Sequence, residues 1–188
     1  MHGFRNLPRN MLSIVLVESA RSPKRSVACF GALEVIIHRG QPTFRTYHLS
    51  AAGMGGSDAL CERLAQLSAD RHIILGQPAI YGDFWDWQEM LSTGDFFVSS
   101  IRLVEDLQPS GMSLLTLSGS TLTEIAERMK LPIAPQARSL QAARLAPERA
   151  HLLWLGYIQS RARKKTSDSL FAAYQAWSAI ERARPLPF

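Results

Sequence analysis

The sequence predicts an α/β domain: a mixed sheet that opens with an antiparallel meander and adds parallel central strands, flanked by helices and followed by extra C-terminal helices. Three observations predict it. Residues 11 to 49 carry strand-period patterning through two turns, a helix-spaced apolar set next precedes the short run His72-Ile73-Ile74-Leu75, and from Leu140 the pattern is almost entirely helical. At 188 residues the chain is long enough for one sizeable core and too short for two ordinary domains. A single domain over residues 1-188 is therefore expected, with a core at 11-135 and a basic helical part at 136-188.

The first strand is the apolar run Met11 to Val17, which ends on Glu18. It is too short to span a bilayer, and the alternation that follows favours a buried strand over a signal peptide. Ser19 to Arg25, with Pro23 and three basic residues, is expected to be a loop. Val27 to His38 is rich in β-branched and apolar residues, and His38-Arg39-Gly40-Gln41 is a turn in which Gly supplies a positive φ. Thr43 to Leu49 alternates, with Phe44, Thr46 and His48 on one face and Arg45, Tyr47 and Leu49 on the other.

The Gly-rich joint Gly53 to Gly56 lacks the Lys-Ser/Thr ending of a phosphate loop. Ser57 is the expected N-cap of a helix whose apolar side is Leu60, Leu64 and Leu67. His72 to Leu75 should return parallel to the first strand, which is what a crossover helix requires. Gly82 to Leu91 is expected to be helical, with Phe84, Trp87, Met90 and Leu91 on its apolar face. Asp95 to Met112 carries no decisive pattern. Thr121 and Glu124 form a capping box ahead of Leu122, Ile125, Ala126 and Met129. Pro147 should break or start a helix. A basic turn, Arg161 to Lys165, precedes a last helix from Ser167, its expected N-cap, to Ala183.

The formal charge of +5 is unevenly spread. Residues 1-50 hold seven Lys/Arg against two Asp/Glu, residues 51-127 three against eleven, and residues 128-188 eleven against three: +5, −8 and +8. A basic surface flanking an acidic middle suits a phosphate-binding groove around a metal-holding carboxylate cluster; it equally describes solvated helices of opposite charge. Cys29 and Cys61 have no metal spacing and sit in apolar surroundings, as reduced thiols of a cytoplasmic protein would.

In order, Ile14 to Ala20 (IVLVESA), Phe30 to Ser50, Ile73 to Trp87 (IILGQPAIYGDFWDW) and Thr121 to Pro132 (TLTEIAERMKLP) resemble the RNase H-like 3′-5′ exonucleases of the DEDD type. The resemblance covers about two thirds of the chain and rests on motif order. It implies an RNase H-like sheet and a phosphodiester hydrolase in which acidic residues hold two Mg²⁺ or Mn²⁺ ions. Hard cations of this kind require oxygen ligands.

The family opens with Asp-x-Glu on its first strand. Glu18 can fill one of those positions, with Leu16 or Ala20 in the other. Gly76-Gln77-Pro78 stands where the family has Gly-His-Asn, and Asp83 is the second acidic candidate; capping the aromatic helix is its other reading. For the last motif two placements compete. Asp168 starts a helix as the family's acid does, with Arg163 in place of the usual His. Alternatively Gln136 to Ala146 fills the motif, and the expected acid is an alanine near Ala142. Glu18, Asp83 and Asp168 are thus the candidate metal ligands and catalytic residues, and neither His48 nor His151 matches the missing general base.

Arg161, Arg163, Lys164 and Lys165 could contact the phosphates of nucleic acid, a single strand for preference, or form a solvated hinge. Tyr81, Phe84, Trp85 and Trp87 could stack bases, though helical spacing points to core packing. Three functions follow: a degenerate relative that binds nucleic acid, an active metal-dependent exonuclease, or a protein-interaction subunit or homodimer with Trp85, Trp154 and Trp177 in an interface. None involves a membrane.

Overall fold

The structure is a computed structural model that describes residues 7–18, 27–77, 106, 109–116, 124–125, 127–129 and 139–183. Its centre is a five-stranded sheet. The strands are β1 (Asn10–Glu18), β2 (Val27–His38), β3 (Gln41–Ser50), β4 (His72–Gln77) and β5 (Gly111–Thr116), arranged β3-β2-β1-β4-β5. β1, β2 and β3 form the antiparallel meander, and β4 and β5 are parallel to β1. This is the mixed α/β architecture that the patterning predicts, with Met11 opposite His72 and Ile14 opposite Leu75.

The β2–β3 turn is tight because Arg39 (φ 50) and Gly40 (φ 82) both take left-handed backbone, the conformation that matches the twist of a two-residue hairpin. Along β1 the side chains divide strictly between two cores. Leu12, Ile14 and Leu16 face a helix formed by Ser57–Ser68, and pack with Leu60, Leu64 and Leu67. Met11, Val15 and Val17 face the opposite way, toward the C-terminal helices. Cys29 lies in that second core, where burial raises its thiol pKa to about 11.

Four helices are denoted α1 (Ala51–Met54), α2 (Ser57–Ser68), α3 (Ser139–Arg161) and α4 (Lys164–Ala183). Residues 124, 125 and 127–129 are also helical, and Ile125 and Met129 are buried beside α4. α3 carries a fully buried stripe at four-residue spacing, Ala146, Ala150, Trp154 and Ile158, which is the helical period that lays one side on a sheet. The C-terminal helices α3 and α4 therefore supply a layer of the core.

Several local expectations are corrected. The N-cap of α2 is Gly56, with no side-chain cap, whereas Ser50 caps the short α1 by accepting from the Gly53 amide at 3.1 Å. β5 begins where the stretch without a decisive pattern, Asp95 to Met112, ends, and no strand was expected there; Leu115 is buried while Leu114 is exposed. α3 runs through Pro147. A proline there costs about 3 kcal/mol, offset by the apolar stripe that α3 buries on the sheet. α4 begins at Lys164, three residues early, because the Arg163 carbonyl accepts from the Ser167 amide at 2.9 Å. Ser167 is thus a buried residue of the first turn. The aromatic segment 82–91, the loop 19–25 and the start of the capping box lie outside the described residues.

Candidate functional site

The direction of α3 decides which candidate residues can meet. Near its start, the Ala146 carbonyl and the Pro147 nitrogen press against Gly31, which pairs with Val15. One turn later Ser13 Oγ donates to the Ala150 carbonyl at 2.7 Å. Further on, Trp154 meets the Phe44 ring at 5.4 Å, and Phe44 pairs with Val35, which pairs with Met11. Finally the Tyr157 ring lies 5.9 Å from His72, the parallel partner of Met11. α3 therefore descends β1 from its carboxyl end to its amino end.

Glu18 closes β1 at the carboxyl end, just past a register shift after Val17. It is seven residues from Met11, about 23 Å along an extended strand. α4 starts where α3 finishes, at the amino end, so Asp168, in its second turn, is also at that end. The backbones of Glu18 and Asp168 are thus more than about 15 Å apart on strand and helix rises. Two carboxylates that share a metal pair must converge within a few ångströms. The two backbones stand toward opposite ends of β1.

Asp168 has a different neighbour. Arg128 Nη2 is 3.6 Å from its Oδ1, with both side chains half exposed, and the Arg128 guanidinium stacks 4.7 Å over the Phe171 ring. A cation that packs on α4 occupies the carboxylate. Of the two placements for the last motif, only the segment leading to Ala146 lies at the level of Glu18. Ala142 is one turn before Ala146, about 6 Å nearer the carboxyl end of β1.

On β1 itself, Leu16, two residues before Glu18, is buried against α2 at 2% exposure. The positions facing α3 are Met11, Ser13, Val15 and Val17, none of them acidic. Asp83 lies outside the described residues. Among the described residues, no three His, Cys, Asp or Glu side chains gather as metal ligands.

His151 is committed to packing. Its Nε2 is 2.9 Å from Thr46 Oγ1 and its Nδ1 is 2.8 Å from the Tyr174 hydroxyl, in a cluster with Trp177 and Phe44. Desolvation, with the Arg182 charge adding to it, lowers its pKa to about 4. Burial raises the Tyr174 phenol above its ordinary range. His48 is exposed on β3. Trp154 is fully buried and Trp177 is packed against Phe44, so neither is an open interface anchor; Trp85 lies outside the described residues.

Arg161, Arg163, Lys164 and Lys165 are all exposed at the junction between α3 and α4. They stand at the amino end of β1, opposite Glu18. A basic patch exists, but it does not flank the strand-end acid.

A second basic feature was not anticipated from sequence. Glu34, on the α2 face of β2, is 5% exposed. Arg71 ion-pairs with its Oε1, using Nη2 and an Nε bond of 2.8 Å, and the Tyr47 hydroxyl donates to Oε2 at 2.8 Å. Arg71 Nη1 also donates to the Leu67 carbonyl at 2.7 Å and the Ala69 carbonyl at 3.3 Å, capping the end of α2. Burial raises the Tyr47 phenol pKa. This knot floors an open cleft of about 390 Å³ beside Arg45 and Arg63. The available signal was Glu34 itself, a lone acid in an apolar strand, which demands a buried partner.

No protein-family model, curated protein or solved structure matches this chain.

Proposed function

We propose that this chain is an RNase H-like domain, related to the DEDD 3′-5′ exonucleases, that binds nucleic acid and has lost the acidic set needed to cut it. The observation that supports this reading is the course of α3, which runs from the carboxyl end of β1 to its amino end and so carries the start of α4, with Asp168, away from Glu18. The sheet order and the sense of each strand agree with the motif order on which the resemblance rests. Among the described residues Glu18 is the one candidate acid at that end of β1, and one carboxylate cannot hold two hard cations in octahedral oxygen sites. The described residues do not fit a Mg²⁺ or Mn²⁺ pair, and no hydrolytic step is derived through one.

Binding is assigned to the exposed Arg161, Arg163, Lys164 and Lys165, which present four cations where two helices meet. Contacts of this kind go to phosphates and carry no base information. The experiment is fluorescence anisotropy of a labelled single strand titrated with the protein at several salt concentrations. Affinity should fall with a log–log slope of about −0.7 per phosphate neutralised. Alanine at all four positions should weaken binding across sequences alike. Absence of binding at low salt overturns the reading. So does robust Mn²⁺-dependent cleavage that Glu18→Gln abolishes, since the missing ligands would then come from elsewhere.

A further inference from the structure

We propose that the cleft between α2 and the β2–β3 ribbon is a phosphate-binding site, with Arg45 and Arg63 as its two ligand-facing cations. It lies on the α2 face of the sheet, opposite α3 and α4, and its existence does not depend on the basic patch at the helix junction.

Charge accounting identifies the ligand class. The cleft is lined by Arg45, Arg63 and Arg71 and by a single acid, Glu34. That acid is spent: one carboxylate oxygen is held by Arg71 and the other by Tyr47. Arg71 is spent with it, since its remaining donors cap α2. The knot is neutral and fixed. Arg45 and Arg63 are left above it: Arg45 hydrogen-bonds Tyr47 and feels the Glu34 charge, which raises its pKa, but neither arginine has a carboxylate within ion-pair distance among the described residues.

Both cations line the same cleft. Arg45 is directly opposite Glu34 in the β2–β3 register, so the two residues share a face. Arg63 reaches the same cleft from α2, with Nη1 bonded to Gln66 Oε1 at 2.9 Å. The remaining guanidinium donors of both are available, and the rigid planar fork of arginine matches tetrahedral oxyanions. An anion in the cleft would meet cations from both walls, one from β3 and one from α2. Thr43, opposite Ile36 in the same register, lines the cleft too, its hydroxyl donating to the Ile36 carbonyl at 3.3 Å. A volume of about 390 Å³ accepts a phosphate with an attached nucleoside.

Titration calorimetry at low ionic strength tests the site with two probes, inorganic phosphate and a 5′-phosphorylated dinucleotide. The wild type should bind, and Arg45→Ala with Arg63→Ala should weaken binding by about tenfold or more, the loss expected for charge-assisted hydrogen bonds. Arg144→Ala, an exposed arginine of α3 on the other side of the sheet, should leave inorganic phosphate binding unchanged. Tighter binding of the dinucleotide assigns the phosphate to a nucleic-acid strand; equal affinities assign it to a free phosphate group. If the double variant is unstable, Arg45→Gln and Arg63→Gln singly carry the test by the same criterion. No binding of either probe, or affinity undiminished in the cleft variants, overturns the site. Phosphate binding that survives while the labelled strand fails to bind would sink the nucleic-acid reading and leave this one standing.

Discussion

Gly31 and Ala146 meet backbone to backbone: a Cβ built on Gly31 would fall 2.1 Å from the Ala146 carbonyl carbon and 2.2 Å from the Pro147 nitrogen. The contact fixes where α3 crosses the sheet. With it fixed, the direction of α3 and the level of Ala142 follow.

Because the atoms that a new methyl would strike are main chain, no side-chain rotation can accommodate it. Gly31→Ala should cost about 2 to 4 kcal/mol, at the upper end of overpacking effects. Urea denaturation of the variant measures it. A midpoint within error of the wild type would mean that α3 does not approach β2 this closely.

His151 predicts an acid-sensitive fold. Its pKa is lowered to about 4 in the folded state, against about 6.5 when unfolded. The unfolded chain therefore binds the proton first, and stability is complete above the unfolded value and declines as pH falls from about 6.5 toward 4. The partly buried ring limits the loss to on the order of 2 kcal/mol. His151→Gln should flatten the pH dependence of the urea midpoint between these values; an unchanged profile would refute the assignment.

Removing Arg71 would leave Glu34 buried without its counter-charge and α2 without its C-terminal cap. Arg71→Ala should destabilise by about 2 to 4 kcal/mol, the range for breaking a largely buried pair from one side. Tyr47→Phe, which removes one hydrogen bond to the carboxylate, should cost about 1 to 2 kcal/mol. Thermal or urea melts will rank the two, and the reverse order would contradict the geometry.

Asp168→Asn should be nearly silent. Its 3.6 Å contact with Arg128 joins two half-exposed side chains, and such pairs contribute less than about 1 kcal/mol. If Asp168 were a metal ligand, millimolar Mn²⁺ would raise the wild-type melting temperature by mass action and the variant would lose the increment. No such increment is expected in either protein.

The sequence by itself determined β1 to β4 and the mixed sense of the sheet, but not the edge strand β5. Met11 to Val17 and Thr43 to Leu49 alternate with period two, and that period alone assigns each residue to a face. The buried set of α2 was legible for the same reason, since Leu60, Leu64 and Leu67 repeat at helical spacing. Local signals misled where a tertiary contact outweighed them. Pro147 was expected to break or start a helix, but burying Ala146, Ala150, Trp154 and Ile158 on the sheet offsets its cost. Ser167 has the chemistry of a cap, yet the chain turns at Arg163, and the hydroxyl is buried.

Only the tertiary structure decided how the candidate residues stand to one another. Both placements of the last acidic motif satisfied the sequence, because spacing along a chain does not record which end of a sheet a helix reaches. The antiparallel course of α3, set by Gly31 against Ala146 and by Ser13 against Ala150, brings Ala142 to the level of Glu18 and carries Asp168 away. Partners as distant in sequence as Glu34 and Arg71 find each other for the same kind of reason. A lone carboxylate on a buried strand face requires a counter-charge, and packing α2 across that face determines which arginine supplies it.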